Sequence, residues 1–177
     1  FVPHATHMPA HIFSRLSMWK DSIEVNRVSV EASKAYAAKK FPDATFGQEL
    51  HNMDYIVYAH LQMGQSKKAK EYVDQVVNTK KVMPETYDAG VAAAVAFTPA
   101  RYYLELKDWT GAASLDVPDH PALKKNPFAA SYLHFARAIG MAKTGKVAEA
   151  KAEVDKIRML RGGDFKVPEA HCGFANS

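Results

Sequence analysis

Three histidines stand close together near the start of the chain, His4, His7 and His11, in the stretch HATHMPAHIF. His7 and His11 are four apart, which on a helix puts two imidazoles on one face, one turn apart. Further on, His51 and Asp54 stand three apart, again within one helical turn. Imidazole nitrogens and a carboxylate oxygen are the donors that zinc and other divalent ions take. A three-histidine, one-aspartate set with an open position can also activate water. The usual signatures of other chemistries are missing: no H-E-x-x-H pair, no Ser–His–Asp order, no phosphate-binding glycine loop and no dinucleotide fingerprint. The single cysteine, Cys172, allows neither an internal disulfide nor a pair of thiolate ligands. No catalytic residue is assigned. The competing reading of these histidines is a hydrogen-bonded place in a helical core.

The elements that must position them follow a repeat. Ser17, Gly64, Lys107 and Gly145 each follow an apolar helical run and precede a short polar turn, in LSMWKDS, MGQSKKA, LKDWTGA and TGKVAEA. Five residues beyond each comes a small side chain, Ser22, Ala69, Ala112 or Ala150, and two beyond three of them comes Trp19, Trp109 or Val147. A sharp turn followed by a small residue suits two helices that pack closely. The anchors are 47, 43 and 38 residues apart. One all-α domain is expected, with helix pairs at about 3–37, 46–80, 84–116 and 126–161 and a tail at 162–177. Phe41-Pro42-Asp43, Asp116-Val117-Pro118 and Gly162-Gly163 are the stops between and after them. Ser66 is the expected N-cap of one helix, and Asn126, ahead of Pro127, of another. Pro9 should start or kink the first helix, and Pro99 stands at the same offset from its own anchor. Ile23, Val25, Val28, Val30 and Ala32 are the apolar positions of the second helix.

At 47% apolar and 24% charged residues, the 177-residue chain is ordinary globular material with room for one cored domain or a short solenoid. The net charge of +4 comes mostly from lysines scattered over turns and outer faces, such as Lys67-Lys68 and Lys124-Lys125. No aromatics interleave with them, so no nucleic-acid partner is expected. No apolar run has the length of a membrane span. The opening Phe1-Val2-Pro3 lacks an initiator Met, which reads as a fragment or processed form whose targeting information is gone.

Leu16-Ser17-Met18-Trp19 with Ser22, Met63-Gly64 with Ala69, Lys107-Asp108-Trp109 with Ala112, and Gly145 with Ala150 resemble the tetratricopeptide repeat (TPR). The likeness spans roughly residues 8 to 160, at spacings longer than the family's repeat of about 34 residues. HMPAHIFSRL followed by ELHNMDYIVYAHLQMG is similar to a group of uncharacterised bacterial TPR proteins that carry HMPxHIF before their first clear repeat. The resemblance implies a right-handed solenoid of about four helix–turn–helix pairs, whose first helices line a concave groove and form ladders of side chains.

On those ladders stand His11, Tyr58, Arg101 and Ile139; His7, Asp54, Phe97 and Phe135; and His4, His51, Ala94 and Tyr132. They imply His4, Tyr58, Phe97 and Arg101 as groove contacts, and His7, His11, His51 and Asp54 as ligands for zinc or another divalent metal. Arg101 is the one base placed to grip a peptide carboxylate. Phe97, Tyr102, Tyr103, Phe128, Tyr132 and Phe135 fit core packing, and His120 and His171 fit loops or surface. The leading expectation is a non-enzymatic scaffold without a cofactor that binds a protein or peptide partner in its groove. The rivals are a metal site with hydrolase-like chemistry and a structural unit that forms a homo-oligomer through its uncovered N-terminal end. A bacterial cytoplasm or periplasm is the implied setting.

Overall fold

A computed structural model describes residues 2–162. The expected tail at 162–177, with His171 and Cys172, lies outside that range except for Gly162. The described chain is all-α, with one pair of two-residue strands. Its helices are α1 (Pro3–His7), α2 (Pro9–Arg15), α3 (Trp19–Lys40), α4 (Gly47–Gln62), α5 (Ser66–Asn78), α6 (Asp88–Glu105), α7 (Trp109–Ala113), α8 (Pro121–Lys125), α9 (Ser131–Lys143) and α10 (Val147–Gly162). No helix among the described residues is long and apolar enough to cross a membrane.

The four repeat anchors share one backbone conformation. Ser17, Gly64, Lys107 and Gly145 have φ values of 57°, 69°, 55° and 81°, and no other described residue is in this left-handed region. Each turn carries the same two hydrogen bonds. The N–H one residue past the anchor reaches five residues back, from Met18 to Phe13, Gln65 to His60, Asp108 to Tyr103 and Lys146 to Met141, at 2.8–3.0 Å. The anchor's own N–H reaches three residues back. This is the Schellman arrangement, which satisfies the carbonyls that a helix end leaves free. The chain then enters the next helix at once, so each left-handed residue joins the two helices of a pair.

The pairs stack by nearest neighbours. α4 packs on α3, α6 on α4 and α5, and α9 on α6 and α7. Leu50, Met53 and Ile56 of α4 meet Val91 and Val95 of α6 and Leu133 and Ala136 of α9 in one apolar cluster. Between the pairs, Thr45–Phe46 (β1) and Val82–Met83 (β2) form a short parallel ladder that ties one connector to the next. At the far end Glu153 of α10, 3% exposed, faces Arg137, His134 and Lys156 at 2.7–3.0 Å. Burial pushes its carboxyl up, but hydrogen bonds from Lys156, Arg137 and His134 outweigh that and hold it at about 2.

Several local expectations need correction, though not that for Pro9, which starts α2 because it has no N–H to offer the Ala5 carbonyl. Met8 stays in helical conformation, however, so the four-residue step from His7 to His11 survives. Pro99 stands inside an unbroken α6. Ser66 opens α5 without capping it. Asn126 turns back to donate to the Ala122 carbonyl and precedes a 3-10 turn at Pro127–Ala130. His120 is not a surface residue: at 2% exposure its Nδ1 accepts the Ala122 N–H at 3.1 Å and caps α8, while its Nε2 donates to the Thr79 carbonyl at 3.0 Å. In α3 the expected Val30 is buried in the core, but the fully buried positions are Ser22, Asn26, Ser29 and Ser33, whereas Ile23, Val25, Val28 and Ala32 are half-buried.

A left-handed conformation costs an L residue about 1–2 kcal/mol. Lys107 is exposed, so Lys107→Gly should stabilise the fold by about 1 kcal/mol in urea unfolding, and Gly145→Ala should cost about as much. The Glu153 carboxyl is depressed in the folded state. Its stabilising effect is therefore present above the unfolded value of 4.5 and is lost as the pH falls towards about 2. Glu153→Gln should cost about 3 kcal/mol at neutral pH, and the gap to wild type should narrow across that acid window.

Candidate metal centre

The first helix pair meets the second along a polar seam. Ser22, Asn26, Ser29 and Ser33, at steps of four, three and four, form one fully buried stripe on α3. Gln48 and Asn52 of α4, 4% and 0% exposed, complete it. Buried polar groups of this kind must find partners, and here they form a chain. Gln48 Nε2 donates to Asn52 Oδ1 at 2.9 Å, Asn52 Nδ2 to Ser29 Oγ at 2.7 Å, and Ser29 Oγ to the Pro3 carbonyl at 2.5 Å. Ser33 Oγ is the one hydroxyl of the stripe left without a partner.

At the end of this seam three imidazoles converge. His7 of α1, His11 of α2 and His51 of α4 each present a ring nitrogen, and these atoms lie within 4.8 Å of one another. His7 Nε2 is 3.1 Å from His11 Nε2 and 3.0 Å from His51 Nε2. Metal–nitrogen bonds of about 2.0–2.1 Å place tetrahedral ligand nitrogens about 3.3 Å apart, so small shifts would bring the three onto one ion.

The tautomer of His7 is settled by its surroundings. Asn26 Nδ2 donates to the Ser22 carbonyl at 2.7 Å, which leaves Asn26 Oδ1 facing the ring. His7 Nδ1–H donates to that oxygen at 2.7 Å, and the neutral ring therefore carries a lone pair on Nε2. Burial pushes His7 down to about 3 and His51 down to about 4, and it lowers His11 as well. One His7 lone pair faces two other Nε2 atoms. A single hydrogen bond can satisfy one of those approaches, whereas a cation at the centre satisfies all three lone pairs. The Tyr55 hydroxyl lies 2.9 Å from His11 Nδ1 and fixes that ring from behind.

Asp54, expected among the ligands, is placed elsewhere. Its carboxylate lies 3.2 Å from Arg101 Nη1 and accepts from the Thr98 hydroxyl at 3.1 Å. The helix explains this: from His51 a step of four reaches Tyr55, about 40° round the axis, while a step of three falls about 60° the other way, towards α6. His4 is also outside the trio; it is exposed, and its Nδ1 donates to Gln48 Oε1 at 3.2 Å.

Arg101 is sandwiched between Tyr58 and Phe97, its guanidinium carbon 4.8 and 4.2 Å from the ring centres, and Trp19 meets Tyr58 edge-on. With Asp54 beside it, Arg101 is already paired with a carboxylate of its own chain. Phe97, Arg101, Leu104, Tyr132, Phe135 and Ile157 line an open groove of about 490 Å³. Of the aromatics expected in the core, Tyr103 packs there, while Phe135 and Tyr132 are 52% and 38% exposed.

Asn26 and Tyr55 are the site residues that spacing did not single out. The signal for Asn26 was the Ser22, Asn26, Ser29, Ser33 periodicity, and for Tyr55 the four-residue step from His51. No protein-family model, curated protein or solved structure matches this chain.

Replacing Asn26 by Leu leaves the buried His7 N–H without an acceptor. Urea unfolding of chelator-treated protein should show a loss of about 2 kcal/mol, and Asn26→Asp, which keeps an acceptor, should lose less.

Proposed function

We propose that this chain is a TPR-like right-handed solenoid whose N-terminal end binds a divalent metal, zinc or a chemically similar ion, through His7, His11 and His51. The solenoid part of the reading is supported by the four left-handed turns at repeat spacing and by the nearest-neighbour stacking of the pairs. The metal part is carried by one observation: three Nε2 atoms from three helices face one another, with the proton of His7 held on the opposite nitrogen by Asn26. An all-imidazole set suits zinc, copper or nickel better than magnesium or calcium, which take oxygen. Three neutral ligands leave the ion its full charge and leave a fourth tetrahedral position for water or an outside ligand.

A second reading, binding of a protein or peptide partner, is favoured by the open groove beside Phe97, Tyr132 and Phe135. Two half-exposed aromatics over an apolar floor suit an apolar side chain of a partner better than an acidic terminus.

Elemental analysis of untagged protein should give one metal per chain. Cobalt or zinc titration should show binding that is lost in His11→Ala and His51→Ala and kept in Asp54→Asn. Metal at about 100 times its Kd should raise the unfolding free energy by about 2.7 kcal/mol. Absence of bound metal in wild type, or retention of full affinity in His51→Ala, would sink the metal reading. For the groove, Phe135→Glu should abolish any partner captured by wild type while leaving metal binding and melting temperature unchanged.

A further inference from the structure

The α1–α2 segment turns most of its large apolar side chains outward and buries His7 with the small Pro3 and Ala10. Met8, Ile12 and Leu16 form one stripe at four-residue spacing and are 46%, 62% and 64% exposed, while His7 and Ala10 are fully buried. Neither apolar cluster of the described residues contains, or has packed against it, a side chain from residues 2–18. Those clusters are built from the later helices and are complete without the segment.

What attaches α1–α2 is therefore not chiefly apolar burial, the usual force in helix docking. The direct side-chain bonds are few: Ser29 to the Pro3 carbonyl, His7 to Asn26, His4 to Gln48, Ser14 to Ser22 and Tyr55 with His11. Each replaces a bond to water and adds little net stability. The imidazole trio differs in kind. It takes one ligand from α1, one from α2 and one from α4, so an ion there crosslinks the segment to the second pair.

We infer, building on the metal reading above, that the ion is what holds α1–α2 on the array, so that the segment is a clasp closed by metal and opened by its removal. The docking carries this: the segment's buried apolar anchors are only the small Pro3 and Ala10, and the metal-ligand set is the junction that takes a side chain from α1, α2 and α4 at once. Opening the clasp uncovers Ser22, Asn26 and Ser29 of α3 and Gln48 and Asn52 of α4, all of which can hydrogen-bond to water. The rest of the array keeps its apolar core in either state. Metal occupancy is thereby converted into exposure or concealment of the seam and release or fixing of the Met8, Ile12, Leu16 stripe.

Hydrogen–deuterium exchange of the whole wild-type chain, compared in zinc and in chelator, tests this without any variant. Zinc is expected to slow exchange across residues 4–17 at least tenfold more than across α9 and α10. His51→Ala, checked for folding by circular dichroism, should abolish that local protection and leave exchange in α9 and α10 as in wild type. Stoichiometric zinc with unchanged exchange across residues 4–17 overturns the clasp and leaves the metal reading standing. Equal slowing in every helix overturns it too, because the segment then opens only with the whole fold. No bound zinc removes the metal reading and the clasp together.

Discussion

Every helix pair in this molecule turns on a single residue in the left-handed backbone region, at Ser17, Gly64, Lys107 and Gly145. Two hydrogen bonds close each turn and leave no slack before the next helix starts. Because the turn is short, each helix pair is compact, and successive pairs pack through α3 on α4, α4 on α6 and α6 on α9. The position of His51 beside His7 and His11 follows from that constraint. Ser17 and Lys107 hold the conformation without glycine's freedom, at a cost that the recovered carbonyl bonds offset.

Two kinds of packing share this frame. From α4 to α9 the helices meet through Leu, Ile, Val and Ala, and the contact is stabilised by apolar burial. Between the first pair and α4, apart from Val30, the contact is a ladder of serine, asparagine, glutamine and histidine. A polar seam in a desolvated place is tolerated only where its members pair, and most of these do. The exception is informative. Three imidazoles held neutral by burial bring their Nε2 atoms together, an arrangement in which one His7 lone pair faces two neighbours and a single hydrogen bond satisfies only one of them.

The same contrast explains which residues sequence patterns located. The four anchors and the helix runs were visible because the same local backbone chemistry recurs in each pair. His7 and His11 were visible as a pair because a four-residue step survives the interruption at Pro9. Asp54 was assigned to the same ladder as His7, yet its helix turns it to Arg101 and Thr98. His120 looked like a loop residue between prolines, but it caps α8 and reaches back to Thr79. Ser66 and Asn126 had the right type for caps, but Ser66 is the first residue of α5 and Asn126 turns back to the Ala122 carbonyl.

The amino-acid sequence by itself determined the all-α class, the places of the four tight turns, and the sharing of one face by His7 and His11. Those features depend on contacts within a few residues, where side-chain type and spacing dictate conformation. Only the tertiary structure decided that His51 joins them, that Asp54 does not, and that α3 buries Ser22, Asn26, Ser29 and Ser33 more fully than Val25 and Val28. Which side of a helix is buried depends on what the facing helices offer. Here α1, α2 and α4 offer hydrogen-bonding groups rather than apolar ones, so hydrogen-bond complementarity, not hydrophobic periodicity, selected the buried face.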